Sequence, residues 1–207
     1  MSTRETAARR NALRKMLLAA AERTIAAQGF EALRARALAD EAGCAVGAIY
    51  NVFSDLDELV IAVNSRTLTD LEQALLAAAP EGAALARDAD EAIARMIRMG
   101  LAYTDFAAAD TLRWRAVFNH SMSGGRPVPE WYRADQRRLF GYLDAPLRTL
   151  RPEATHEARA LLTRSVFSAV HGIVVLGLEE TLGVLPLPVL RQQVTLLVDA
   201  MGRGLSG

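Results

Sequence analysis

Cysteine is nearly absent from the sequence. Cys44 stands alone, so no disulfide can form within the chain and no cysteine-based zinc site can assemble; such usage suits a reducing compartment, and the cytoplasm is the expected location. Histidine is scarce too. His120, His156 and His171 show no close metal-ligand spacing, and neither H-E-x-x-H nor G-x-x-x-x-G-K-[ST] occurs. No metal, no cofactor and no catalysis are therefore expected. Long apolar runs are also missing. "MLLAAA" stops at Glu22, too short for the apolar core of an export signal. "VFSAVHGIVVLGL" is interrupted by His171 and followed by Glu179 and Glu180, well short of the ~20 apolar residues that span a bilayer. It reads as a buried helix, and a membrane is not an expected partner.

Net charge is absent as well, with 24 Lys/Arg against 24 Asp/Glu, but the balance is uneven along the chain. Up to Ser54 eight basic residues face five acidic ones, and beyond it sixteen face nineteen. Arg4, Arg9, Arg10, Arg14 and Lys15 cluster at the N-terminus, where a flexible basic arm could meet phosphates. A solvated terminus has the same composition.

What is present in abundance is helical periodicity, over 207 residues that are 51% hydrophobic. No stretch alternates as a strand does, and the fold class is all-α with about nine helices. Leu13, Leu17, Ala21 and Ile25 share one face of a first helix, roughly 8 to 28, which Gly29 stops. Two short apolar segments follow, around Leu38 and Ala39 and around Ile49 and Phe53, separated by Gly43; this is the outline of a helix-turn-helix. Ser54 is positioned to cap the next helix with Asp57 completing the box, and Leu59, Val60, Val63 and Leu71 mark its face to about Ala78. Further helices carry Ile93 to Leu101, Leu112 to Met122, Trp131 to Leu143, about Ala154 to Leu182, and Leu190 to Met201. "SGGRPVP" is the clearest break. Two domains are expected, residues 1–54 with the arm and helix-turn-helix, and 55–207 with the remaining helices.

Gly29-Phe30-Glu31-Ala32, Leu38-Ala39, Gly43, Gly47, Ile49-Tyr50, Phe53 and Leu59 are correctly spaced for the "G-[FY]-x-x … I-A … G … G-x-[LI]-Y-x-x-F … L" frame, and over residues 10 to 65 the chain resembles the tetracycline-repressor (TetR) family. Trp114 and His171-Gly172 resemble the "W" and "HG" landmarks of a subgroup with a WHG-type C-terminal domain. The resemblance implies an N-terminal three-helix DNA-binding domain and a larger helical domain for effector binding and dimerisation. It also implies a ligand-responsive transcriptional regulator, commonly a repressor, that binds a palindromic operator as a dimer.

The reading helix departs from the family pattern. Leu56 stands where family members usually carry a lysine on a phosphate, Arg34 where a Ser or Thr caps helix two, and Ala45, Val46 and Ala48 where polar residues are usual. Candidate DNA-binding residues are Arg10, Arg34 and Arg36 for the backbone, Gly47 for close approach, Tyr50 at the rim, Asn51 for a bidentate contact to adenine, and Ala45, Val46 and Ala48 against thymine methyls. Such a surface favours A·T steps.

In the second domain Met99, Tyr103, Trp114, Phe118, Met122, Phe167 and His171 are candidates for a pocket holding a small apolar or amphipathic effector, although residues of this kind at helical spacing also build plain core. Small residues Ser165, Ser168, Ala169 and Gly172 on one helix, with Val194, Leu197, Val198 and Met201 on the last, are candidates for the subunit interface that the family resemblance implies. Internal packing is served by the same residues. The rival to a regulator is a helical small-molecule or partner-binding protein that keeps the fold and has lost specific DNA binding.

Overall fold

A computed structural model describes residues 3–82, 84–179 and 183–206. Among these, nine α-helices follow one another: α1 Thr3–Gln28, α2 Ala35–Ala42, α3 Val46–Tyr50, α4 Leu56–Ala78, α5 Ala89–Ala109, α6 Thr111–Asn119, α7 Glu130–Leu150, α8 His156–Gly177 and α9 Leu187–Ser206. Short 3₁₀ turns lie at Phe30–Ala32 and Ser123–Gly125. The all-α class is as the sequence indicates.

The first compact unit comprises residues 1–68 and 110–132, the second 69–109 and 133–207. In the first, Leu17, Ala21 and Ile25 of α1 meet Leu38, Ala39, Ile49 and Phe53 of the helix-turn-helix and Leu59 and Val63 of α4, with Ala116 of α6 completing the core. α6 is thus built into the unit that carries the short helices, although sixty residues separate it from the end of α3 in sequence. Asn64 of α4 donates to the Ala116 carbonyl at 2.8 Å, and Arg113 of α6 donates to Thr67 Oγ1 at 3.0 Å and pairs with Glu22 of α1 at 3.2 Å.

The second unit is organised by α9 lying on α5, with α8 alongside. Close approach depends on glycine: a β-carbon at Gly202 would fall 2.5 Å from Ile93 Cγ1, one at Gly177 2.6 Å from Leu190 Cδ1, and one at Gly100 3.1 Å from Val194 Cγ1.

Several boundaries differ from the sequence reading. α1 begins at Thr3 rather than near residue 8, so Arg4, Arg9 and Arg10 sit on a continuous helix and not on a flexible arm. Asp55, not Ser54, caps α4: its carboxylate accepts the Glu58 N–H at 2.8 Å, and Glu58 reaches back to the Ser54 N–H at 2.7 Å. The same device recurs before α5, where Asp88 accepts the Glu91 N–H and Glu91 the Arg87 N–H. α8 ends at Gly177, earlier than foreseen, where the Leu185 N–H returns to the Gly177 carbonyl at 2.8 Å. The anticipated end at Leu182 lies outside the described residues.

Candidate nucleic-acid interface

The turn between α2 and α3 follows from one residue. Gly43 adopts φ 65° and ψ 37°, a left-handed conformation that a side chain disfavours. It lets the Cys44 N–H bond to Ala39 O at 2.9 Å and the Gly43 N–H to Asp40 O at 3.3 Å, which together close α2 in a Schellman motif. The chain is then free to start α3 at Val46. Ile49 and Phe53, 0% and 1% exposed, anchor α3 and its following turn to the core.

Everything else on α3 faces outward. Ala45, Val46, Gly47, Tyr50 and Asn51 are exposed and Ala48 half-buried. A β-carbon at Gly47 would meet nothing within 4 Å, so no internal contact demands glycine there. Val46 and Tyr50 are 39% and 49% exposed, an unusual display of apolar surface on so short a helix. Asn51 follows α3 as its C-cap, its backbone N–H bonded to the Ala48 and Ile49 carbonyls, and its side chain makes no hydrogen bond among the described residues.

The cations divide into two sorts. Arg10 and Arg36 are exposed and engage no carboxylate or carbonyl of the described chain. Arg34 folds back instead: its Nη1 donates to Glu31 O at 2.6 Å and Leu33 O at 2.8 Å, which satisfies the carbonyls of the 3₁₀ turn. Arg14, which the sequence reading grouped with the basic arm, lies 4.3 Å over the Phe53 ring and reaches Val52 O at 3.4 Å. It holds the end of α3 from below, a cation–π contact that the helical spacing of α1 alone does not reveal.

A second feature escaped the sequence reading. Asp57, in the first turn of α4, accepts the Ser123 N–H at 2.8 Å and Arg126 Nη2 at 3.0 Å. The His120 ring, stacked edge-on against Phe30, places Nε2 3.5 Å from Asp57 Oδ1. Burial alone would raise the Asp57 pKa, yet the Ser123 amide, His120 and Arg126 together hold it below the usual carboxylate range. Burial pushes the His120 pKa down, against the opposing pull of Asp57, Asp55 and Glu31. Nothing in "SGGRPVP" marks its arginine as the partner of an aspartate 69 residues earlier.

The candidate effector residues fall in both units. In the second, the Tyr103 hydroxyl and His171 Nδ1 share a hydrogen bond at 2.6 Å. Phe167 stacks on His171 at 5.3 Å and receives Phe140 edge-on at 5.2 Å; Met99 is buried on α5. Burial lowers the His171 pKa. In the first, Trp114 is buried and touches Phe118, which is 37% exposed, at 5.5 Å between centroids, while Met122 is half-buried.

Of the candidate interface residues, Ser165 and Ser168 are exposed and Ala169 and Gly172 half-buried along α8. Leu161 and Leu176 on the same helix stand 67% and 55% exposed. α8 is the one helix among the described residues long and apolar enough to cross a membrane by length and composition, and only 28% of its most apolar window is buried. On α9, Leu197 and Met201 are half-buried, but Val194 and Val198 do not face outward. They are 0% and 1% exposed, packed over Gly100, because α9 turns this stripe onto α5. Leu196, 64% exposed, occupies the outer face.

Comparison with known proteins agrees with this architecture. Residues 17–63 match the family described as bacterial regulatory proteins, tetR family, and residues 96–201 match the tetracyclin repressor-like C-terminal domain. A protein of unknown function from Rhodococcus sp. RHA1 superposes with a TM-score of 0.72 at 24% identity, covering 94% of this chain and 96% of the other. The TetR family transcriptional regulator PfmR from Thermus thermophilus superposes at 0.54 with 17% identity, over 91% and 96%. At such identities the likeness is one of fold. No curated protein matches the chain. With both its helix-turn-helix and its C-terminal domain matched, over more than half of its length, the chain belongs to the tetracycline-repressor (TetR) family of transcriptional regulators.

Proposed function

We propose that the protein is a ligand-responsive DNA-binding regulator, a repressor, that binds a palindromic operator as a homodimer and carries out no catalysis. The observation that carries this reading is the outward face of the helix-turn-helix. Arg36, Tyr50 and Asn51 present polar groups that engage no other side chain among the described residues, around a glycine whose missing side chain no neighbour requires. Buried polar groups are satisfied internally, and residues left open together on the two short helices and their flanks suit an external partner. Asn51 reads adenine, Ala45, Val46 and Ala48 contact thymine methyls, and Arg10 and Arg36 meet phosphates. Arg34 contributes charge while its guanidinium serves the chain's own carbonyls.

One asparagine per half-site gives about 1–3 kcal/mol of discrimination, so pairing of two heads at a spacing of ~34–36 Å has to supply the remainder. The exposed leucines of α8 and α9 around Ser165, Ser168 and Gly172 support a subunit interface there, with Leu196 replacing Val194 and Val198 in that role. The Tyr103–His171–Phe167 cluster supports an effector site for a small amphipathic molecule with an aromatic or apolar body and one polar group. The effector acts through differential affinity for two arrangements of the paired heads. The domain division we adopt follows function: residues 1–54 read DNA, and 55–207 bind effector and dimerise in the cytoplasm.

A second reading has its own support. The apolar Ala45, Val46 and Leu56 favour a helical binding protein that has lost DNA recognition. Gel-shift titration on genomic fragments at two salt concentrations separates the two: a regulator retains one fragment against competitor DNA at the higher salt, whereas uniform release of all fragments rejects it.

A further inference from the structure

The turn between α6 and α7 brings a cation to the head that neither the helix-turn-helix nor α4 itself provides. In the first turn of α4 the chain carries Asp55, Leu56, Asp57 and Glu58, an apolar and acidic set next to a surface read here as meeting a polyanion. Arg126 lies on top of it. Its Nη2 sits 2.7 Å from Asp55 Oδ2 and 3.0 Å from Asp57 Oδ2, and its Nε donates to Ser123 O at 3.2 Å. The hydrogen bond to Asp55 is the leading reason its own pKa is raised, so the charge is permanent. The turn is pinned independently by the Ser123 N–H on Asp57.

Three consequences follow from this geometry. One edge of the guanidinium fork is fixed, which removes most of the rotamer freedom that a surface arginine otherwise loses on binding. The other nitrogen, Nη1, makes no hydrogen bond among the described residues, and the side chain is 46% exposed. Finally, Asp55 follows Asn51 by four residues, so Arg126 is held against a residue within about 14 Å of the base-reading asparagine, the most that four residues can span. An arginine with one edge oriented and one edge open, beside a reading helix, fits a phosphodiester.

We propose that Arg126 is a DNA-backbone contact: its open Nη1 edge takes a phosphate flanking the half-site while Asp55 and Asp57 orient it. This rests on the DNA-binding reading above and adds to it a contact from a part of the chain outside the helix-turn-helix. It also explains why two carboxylates are tolerated there. They act as the holder of a cation, which offsets one of their two negative charges.

The test is anisotropy titration of the full chain with a labelled mixed-sequence duplex of about three helical turns, ~30 bp, across a range of salt. Wild type, Arg126→Ala and Arg126→Lys are compared after thermal melting establishes that each is folded. Each neutralised phosphate contributes about 0.9 to the slope of log K against log salt. Arg126→Ala is expected to weaken binding at low salt and to flatten the slope by about 1.8 for a dimer, and Arg126→Lys to restore the slope. An unchanged slope in Arg126→Ala overturns the inference, even where affinity falls, because a mere tether of the turn changes affinity without releasing fewer counterions. A wild type that fails to bind the duplex at the lowest salt overturns the regulator reading and this inference together; a wild type that binds while Arg126→Ala keeps its slope overturns this inference alone.

Discussion

Glycine plays opposite parts in the two units. In the second, Gly100, Gly177 and Gly202 lie where a β-carbon would strike Val194, Leu190 and Ile93, and their lack of a side chain is what lets α9 close on its neighbours. In the first, Gly47 has open space where a β-carbon would go. One unit uses small residues to complete itself; the other leaves a small residue facing outward. The contrast separates glycines that the packing of α5, α8 and α9 requires from one on α3 that no internal contact requires.

That contrast can be broken most severely at Gly202. Gly202→Ala forces its new methyl against the stiff, buried Ile93, and overpacking of this kind costs about 1–3 kcal/mol. At about 2–4 °C per kcal/mol for a chain of this size, calorimetry should record a drop of several degrees. An unchanged midpoint would mean that α9 does not need the close approach.

Smaller effects sharpen the comparison. Arg14→Ala removes the guanidinium from Phe53 and Val52 and should destabilise by about 0.5–1 kcal/mol, with the end of α3 showing faster amide exchange; equal exchange rates would deny it a holding role. Tyr103→Phe deletes the hydroxyl bonded to His171 and should lower stability by about 1 kcal/mol, as measured by urea titration. A gain on deletion would show that the hydroxyl is poorly satisfied in the folded chain.

pH gives the mildest test. His120 and His171 have pKa values lowered by burial, so below about 6.5, the unfolded value, the unfolded chain binds protons that the native chain refuses. Stability should be fully present above that pH and decline as pH falls from it toward the lower native values. A His120→Gln, His171→Gln double variant should flatten the decline in thermal midpoint between pH 7 and 5; persistence of the full slope would assign it to other groups.

The fold was legible in the sequence because helical periodicity and glycine stops are local signals. Leu17, Ala21 and Ile25 on one face, Gly43 as a turn and Ile49 with Phe53 as anchors need only spacing to be recognised. The relations that were not legible are long-range. Asp57 has the spacing of half a capping box, three positions after Ser54, yet its carboxylate goes to Ser123 and Arg126 and Asp55 does the capping. Val194 and Val198 looked like an outward stripe because periodicity identifies an apolar face without saying what covers it, and α5 covers it here. The basic N-terminal cluster separates by contact as well: Arg14 goes under α3 while Arg10 stays open.

The claim that the open face of α3 is a DNA-reading surface is tested most directly by Gly47→Gln, with unfolding midpoint and duplex affinity measured on the same preparation. Open space around the β-carbon and the helix preference of glutamine over glycine predict a midpoint equal to wild type or slightly higher. The side chain would then stand between the helix backbone and the duplex, and affinity for the retained genomic fragment should fall about tenfold or more, the scale of a lost base contact. Full affinity in a folded Gly47→Gln variant would contradict the account, which places the bare Gly47 backbone directly against the duplex.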